Sequence, residues 1–227
     1  MKLGKVGIIV AARTASTRLP GKALLPFGGT PMILFLLERL RPLCDAHLVF
    51  ATTELESDDR LAAIVRDCGV PVFRGSANDL VARYYAAAAR FGFDTIGRVT
   101  GDCPFVNAQM VEHCLAQAVD FDDFDLATTK GSFPVGLDIE LYPASVMAQL
   151  NQQNDLTESH REHLTLYIYD NRSSMRVHSL YPPADWPVAR QSFTVDTRAD
   201  YDAAVALAGR FPNSDTPLKD LIERAAT

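Results

Sequence analysis

The chain has 227 residues, 48% apolar and 22% charged, and carries a net charge of −6. That is enough for one domain with a substantial core, and the acidic balance argues against broad electrostatic attachment to nucleic acid or an anionic membrane. No stretch reaches the roughly 20 apolar residues of a membrane span, the early apolar run is too short for a secretory signal, and the scattered Cys44, Cys68, Cys103 and Cys114 read as reduced thiols of a cytoplasmic protein rather than disulfides or a zinc site.

Val6–Val10 is a continuous apolar run suited to a strand buried on both faces. It opens into a loop of small residues carrying Arg13, Arg18 and Lys22, with Pro20 and Gly21 just before the lysine. Small residues let backbone N–H groups approach phosphate oxygens; arginine forks two oxygens at once, and lysine adds a mobile point charge. Cations gathered in one loop of an acidic protein predict a polyanion pocket, above all for a nucleoside triphosphate. The loop is not of the Walker type, because Lys22 is followed by Ala23 and no G-x-x-x-x-G-K-[ST] occurs. Nor does G-x-G-x-x-G follow the strand, which argues against a dinucleotide-dependent dehydrogenase.

Met32–Leu43 carries a helical apolar stripe at 32, 33, 36, 37 and 40, and His47–Ala51 is the next strand. Ser57 is expected to cap a helix with Asp58 and Asp59 in its first turn and Gly69 just past its end. Val70–Phe73 reads as a short strand, Asp79–Phe91 as an alanine-rich helix stopped by Gly92, Thr95–Thr100 as a strand, and Asn107 as the cap of a helix to Val119. This βα alternation predicts a parallel sheet with helices on both faces. After Asp120 the rhythm changes: Phe124–Thr129 and Asp138–Tyr142 read as strands around Gly131–Gly136. Helices at Ala144–Leu150 and Glu158–Tyr169 and a strand at Met175–Tyr181 follow. Residues 130–185 are expected to form an insertion that closes over the sheet or makes a dimer contact. Beyond a loop marked by Pro182, Pro183 and Pro187, Phe193–Val195 is expected as a strand and a helix begins near Ala199.

In an open α/β sheet, ligands sit beyond the carboxyl ends of the strands where the strand order reverses. With a 3-2-1-4 order of the first four main strands, Asp102 in RVTGDCP faces the Arg13–Lys22 loop across that crevice. A carboxylate opposite a triphosphate cradle serves to hold Mg2+, which takes one or two carboxylates alongside phosphates. Its strongest partner is Asp196 in FTVDTRADYD, with Asp138 in GLDIE the other contender; the competing roles are a helix cap for Asp196 and a turn end for Asp138. His160 and His163 of HREH lack the H-E-x-x-H pattern and read as a polar helix face rather than a transition-metal site.

The strings AARTASTRLPGKALLPFGGTP, VFRGSANDLVARY, RVTGDCP, GLDIE, REHLT and TVDTRADYD, in this order and spacing, resemble the spore-coat-polysaccharide type of cytidylyltransferase, within the acylneuraminate and 3-deoxy-manno-octulosonate cytidylyltransferase group. The resemblance implies an α/β, three-layer nucleotide-diphospho-sugar transferase-like fold with a mixed, mainly parallel sheet of about seven strands. It implies a Mg2+-dependent reaction of CTP with an acidic sugar, or a similar anionic acceptor, giving a CMP-linked product and pyrophosphate for surface polysaccharide biosynthesis. It also implies a homodimer. Carried onto this sequence, Lys22 and Arg13 are the expected catalytic cations, and Arg13, Arg18 and Lys22 hold the triphosphate. Ala11, Ala12, Arg74, Ser76 and Arg83 line the nucleotide side, Asp102 and Asp196 hold the metal, and Asp138, Arg161 and His163 lie near the acceptor or a subunit contact.

Two departures, Ala11 where the spore-coat type commonly has glutamine and VARQSF ahead of TVDT, bear on base preference more than on reaction class. Rival readings are a nucleotidylyltransferase for another triphosphate or for a phosphonate or phospho-acid acceptor, and a nucleotide-binding regulatory protein without turnover. The presence of both Asp102 and Asp196 argues against the last.

Overall fold

A computed structural model describes residues 2–187, 191–211 and 216–225; Val188, Ala189 and Arg190 of VARQSF lie outside the described residues. In chain order the first half comprises β1 (Val6–Ala11), β2 (Pro26–Phe27), β3 (Thr30–Pro31), α1 (Met32–Leu40), β4 (His47–Thr53), α2 (Asp59–Asp67), β5 (Val72–Gly75), α3 (Leu80–Phe91), β6 (Thr95–Thr100) and α4 (Ala108–Val119). Then follow β7 (Leu126–Thr128), β8 (Glu140–Pro143), α5 (Ala144–Gln152), α6 (Glu158–Glu162), α7 (Leu166–Asp170), β9 (Val177–Ser179), α8 (Arg198–Gly209) and α9 (Leu218–Ala225).

Seven of the strands form one sheet in the order β5-β4-β1-β6-β8-β7-β9, while β2 and β3 pair as a small hairpin. β1 lies parallel to β4 and β6, and β4 parallel to β5. The four parallel strands therefore stand in the 3-2-1-4 order on which the placement of Asp102 depended, with the switch point between β1 and β6. β8 runs antiparallel to β6 and β7, and β9 parallel to β7. Residues 130–185 thus supply β8 and β9 to the sheet itself and α5–α7 to the layer upon it.

The alternation of β1 divides the core between the two faces. Ile8 and Val10 pack with Leu36 of α1, Leu61 of α2 and Val111 of α4, all fully buried. Ile9 packs on the other face with Tyr84 of α3, Met147 of α5 and Ile168 of α7. Each such side chain stabilises by about 1.5–3 kcal/mol relative to exposure. Asn107 caps α4 as expected, its Oδ1 accepting from Met110 N–H (3.0 Å), whereas Asp79, expected as the first helical residue, is instead the cap of α3, its Oδ1 accepting from Ala82 N–H (2.8 Å).

Elsewhere the chain departs from expectation. Ser57 sits inside a 3-10 turn, Glu56–Asp58, and α2 begins without a side-chain cap. The segment 158–169 is two short helices because Thr165 breaks inward, its hydroxyl donating to both oxygens of Glu140 at 3.0 Å. Phe193–Val195 is not a strand. Its N–H groups bond loops instead of a ladder, Phe193 to Val135 O (2.7 Å) and Val195 to Asp102 O (2.8 Å). Thr197, in a capping box with Asp200, caps α8 and leaves Asp196 outside the cap. Among the described residues no helix is long and apolar enough to cross a membrane, and the four cysteines are free thiols.

Candidate active site

Beyond the carboxyl ends of β1 and β6 opens a cavity of about 1040 Å³, walled by the loop after β1, the turn before α3, Gly101 and Asp102, and α6. The loop is anchored at its root. Asp58, 1% exposed, accepts from Thr14 N–H (2.8 Å), Thr14 Oγ1 (2.6 Å), Thr52 Oγ1 (3.0 Å) and Thr53 N–H (3.3 Å), and from the Thr53 hydroxyl. Burial pushes this carboxyl up, but the hydrogen bonds, led by Thr14 and Thr53, hold it below its ordinary range. Thr14 O then accepts from Ser16 N–H (2.8 Å) and Gly21 N–H (2.9 Å), closing the loop. Gly21 has φ 69°, a left-handed conformation that glycine alone adopts cheaply, and it turns the chain into Lys22.

The structure brings the predicted cations and carboxylates together. Lys22 Nζ donates to Asp102 Oδ2 (2.9 Å), Asp196 Oδ1 (3.1 Å) and Val195 O (2.8 Å). Arg18 pairs with Asp196 at 3.0 Å, and Arg13 reaches Ala77 O and Glu162, each at 3.4 Å. Burial raises the Asp102 carboxyl, but the Lys22 charge and the Thr100 hydrogen bond outweigh it, so Asp102 lies below the usual carboxylate range. Ala11, Ala12, Arg83, Arg161 and His163 also line the cavity. Arg83 is buried and braces its wall, Nε donating to Ser76 O at 2.8 Å and Nη2 to Ser76 O at 2.5 Å and Ala77 O at 3.2 Å. Arg161 pairs with Asp79 at 2.7 Å.

The sequence of the family described as cytidylyltransferase matches residues 7–208, which carry both walls of this cavity. The chain belongs to the cytidylyltransferase family. It is 33% identical over 225 residues to the spore coat polysaccharide biosynthesis protein SpsF of Bacillus subtilis (strain 168), covering 95% of this chain and 93% of that protein. A solved cytidylyltransferase from Leptospira borgpetersenii serovar Hardjo-bovis (strain JB197) superposes with a TM-score of 0.91 at 34% identity, covering 98% of this chain and 94% of that one. CMP:2-keto-3-deoxy-manno-octonic acid synthetase, solved in complex with CTP, shares the fold with a TM-score of 0.71 at 21% identity, covering 91% and 99%. The mixed sheet between two helical layers is therefore the nucleotide-diphospho-sugar transferase-like fold, and the protein is a nucleotidyltransferase.

Three residues expected in the cytidylyltransferase site are not brought to the main cavity. Arg74 turns away to Thr53 O (2.9 Å), Leu55 O (2.8 Å) and Asp59 (2.6 Å), tying β5 to the start of α2. Ser76 Oγ is taken by Asp79 N–H at 3.1 Å, within the turn that starts α3. Asp138 lines a second cavity of about 460 Å³ and accepts from Gly136 N–H at 2.7 Å. Burial pushes its carboxyl up, and the Gly136 bond only partly opposes this. It is Asp196, not Asp138, that shares Lys22 with Asp102.

The two carboxylates suit a hard divalent cation. The ammonium held by Asp102, Asp196 and the Val195 carbonyl is itself a cation in an all-oxygen setting, and Mg2+ takes one or two carboxylates beside phosphate oxygens. Among the described residues no group of three or more His, Cys, Asp or Glu side chains is placed to hold a metal ion, and in HREH the His160 Nε2 lies 3.0 Å from Asp170 Oδ2.

Sequence reading missed Arg98, which lines both cavities. It lies opposite Glu140 in the β6–β8 register and pairs with it at 2.5 Å. Burial would pull its pKa down, but the Glu140 carboxylate beside it raises it. Glu140 is held in turn by Thr165 and by Tyr169 (2.9 Å). An arginine inside the apolar run TIGRVT was the available signal.

Proposed function

We propose that the protein transfers a cytidylyl group from CTP to an anionic acceptor, releasing pyrophosphate, with Mg2+ held by Asp102 and Asp196. The observation that carries this is the convergence of Lys22 and Arg18 on Asp102 and Asp196 at the switch point, with Arg13 on the same loop. Bound there, Mg2+ supplies neutralisation of phosphate charge. The acceptor oxygen attacks the α-phosphorus in line; its new P–O bond replaces the bond to the β-phosphate oxygen, and pyrophosphate leaves. Such transfers rely on positioning and charge stabilisation rather than covalent help from the protein. Lys22 and Arg13 orient the polyphosphate and stabilise charge on the leaving group, and Asp58 keeps the loop in register through Thr14.

We assign the acceptor to the second cavity, whose lining shares Arg98 and Thr100 with that of the first and includes Lys130 as a cation for an acidic group. The cytidylyltransferase match supports CTP as the donor. Similarity to a spore coat polysaccharide protein supports a polysaccharide precursor as the acceptor's class. Pyrophosphate release with CTP, UTP, ATP and GTP against sugar acids, phospho-acids and neutral sugars tests the reading. It predicts release with CTP, Mg2+ and a sugar acid. Release with another triphosphate overturns the base assignment, and release with a neutral sugar alone overturns the anionic acceptor.

A further inference from the structure

An ammonium has three N–H donors, and Lys22 places them on Asp102, Asp196 and the Val195 carbonyl, all within 3.1 Å. Its side chain is only 14% exposed, and Arg18 adds a second positive charge on Asp196 at 3.0 Å. A lysine so engaged cannot also bind a phosphate. Mg2+ joining the same carboxylates while the ammonium stays is disfavoured, because like charges within a few ångströms repel in a partly buried site. The residue meant for the polyphosphate and the residues meant for the metal thus neutralise one another.

Resting on the nucleotidyl-transfer reading, we propose that Lys22 is an internal stand-in for the metal: it blocks the Asp102–Asp196 site until a polyphosphate draws the ammonium away. Release of Lys22 to phosphate oxygens frees both carboxylates in the same movement. Metal then enters with the nucleotide rather than before it. The coupling is reciprocal, so nucleotide tightens metal binding by the factor by which metal tightens nucleotide binding. Gly21, whose Cβ position meets no atom within 4 Å, leaves the backbone room to turn as Lys22 moves.

Mn2+ is the probe, followed by water-proton relaxation, which separates protein-bound from nucleotide-bound ion. Native protein, Lys22→Met and Lys22→Gln are titrated without nucleotide and with CTP, each also in an Asp196→Asn background. Circular dichroism confirms folding, and the glutamine variant keeps a hydrogen-bonding side chain should methionine fail to fold. The expected result is weak nucleotide-free binding by native protein, at least tenfold tighter binding by the Lys22 variants, and loss of that gain with Asp196→Asn. Unchanged nucleotide-free affinity in the Lys22 variants, with CTP still recruiting Mn2+ through Asp196 in native protein, overturns the proposal alone. If Asp196→Asn leaves CTP-dependent Mn2+ binding intact, the metal-site reading fails and the proposal with it.

Discussion

Asp58 links stability to the nucleotide loop, and its removal gives a prediction whose size follows from the structure. In Asp58→Ala the hydroxyls of Thr14, Thr52 and Thr53 can rotate, and Thr14 Oγ1 already has Ser57 O at 3.2 Å as a second partner. The N–H groups of Thr14 and Thr53 are fixed and lose a charged acceptor at 2.8 and 3.3 Å. An unsatisfied buried donor costs about 1–3 kcal/mol; Thr53 N–H bears that in full and the half-buried Thr14 N–H, open in part to water, bears less, so the two together cost about 1–4 kcal/mol. At about 2.5 kcal/mol, the melting temperature of a chain this size falls by about 5–10 °C. The Asp58 carboxyl titrates below its unfolded value of about 3.9. Its stabilisation is therefore present above that value and lost as pH falls through the folded one. Urea unfolding from neutral to acid pH should show the gap between native protein and Asp58→Ala constant near neutrality and closing in acid. With Thr14 released, CTP affinity should fall as well. A neutral-pH loss below about 1 kcal/mol would refute the reasoning, since it would mean that both N–H groups find acceptors elsewhere.

Other outcomes follow from the same contacts. Lys22→Ala should lower turnover by roughly 10²–10³-fold in a pyrophosphate-release assay, the cost of a lost preorganised charge stabiliser. Gly136 has φ +86, and a Cβ there would stand 2.3 Å from Thr194 N. Gly136→Ala should therefore cost about 2–5 kcal/mol in urea unfolding and weaken Mn2+ binding by shifting the segment that carries Asp196. The folded pKa of Asp138 lies above its unfolded value, so its burial penalises stability above the folded pKa and is relieved as pH falls below the unfolded one. Asp138→Asn, which keeps an acceptor for Gly136 N–H, should raise the melting temperature at neutral pH and lose that gain in strong acid.

What the sequence made legible was local or carried by pattern. The βα alternation led to the parallel sheet, whose strands take the 3-2-1-4 order that places Asp102 at the switch point, and the cap Asn107 could be read because capping acts over three residues. The strand order then set Asp102 opposite Lys22, 80 positions apart in sequence. Misreadings arose where a distant partner outweighed local preference. Asp58 looked like a helix-dipole residue, but hydroxyls of the neighbouring β4 and the N–H of Thr14 claimed it. The helix expected through Thr165 broke because Glu140, beside Arg98, required its hydroxyl. Arg74 resembled a nucleotide ligand in FRGSANDL, yet carbonyls at the end of β4 and Asp59 hold its guanidinium. Phe193–Val195 had strand composition, but the partners available to its N–H groups were loops.

The central claim is that the loop after β1 and the Asp102–Asp196 pair form one Mg2+-dependent site for CTP. The most direct test is the melting temperature of native protein and Asp102→Asn with CTP, UTP, ATP or GTP, each with Mg2+ and with chelator. A ligand at a hundredfold its dissociation constant stabilises by about 2.7 kcal/mol, which is readily seen. The account predicts a rise with CTP and Mg2+ in native protein that chelator removes and Asp102→Asn lacks. A rise of equal size with all four triphosphates, or one indifferent to chelator and to Asp102, would contradict it.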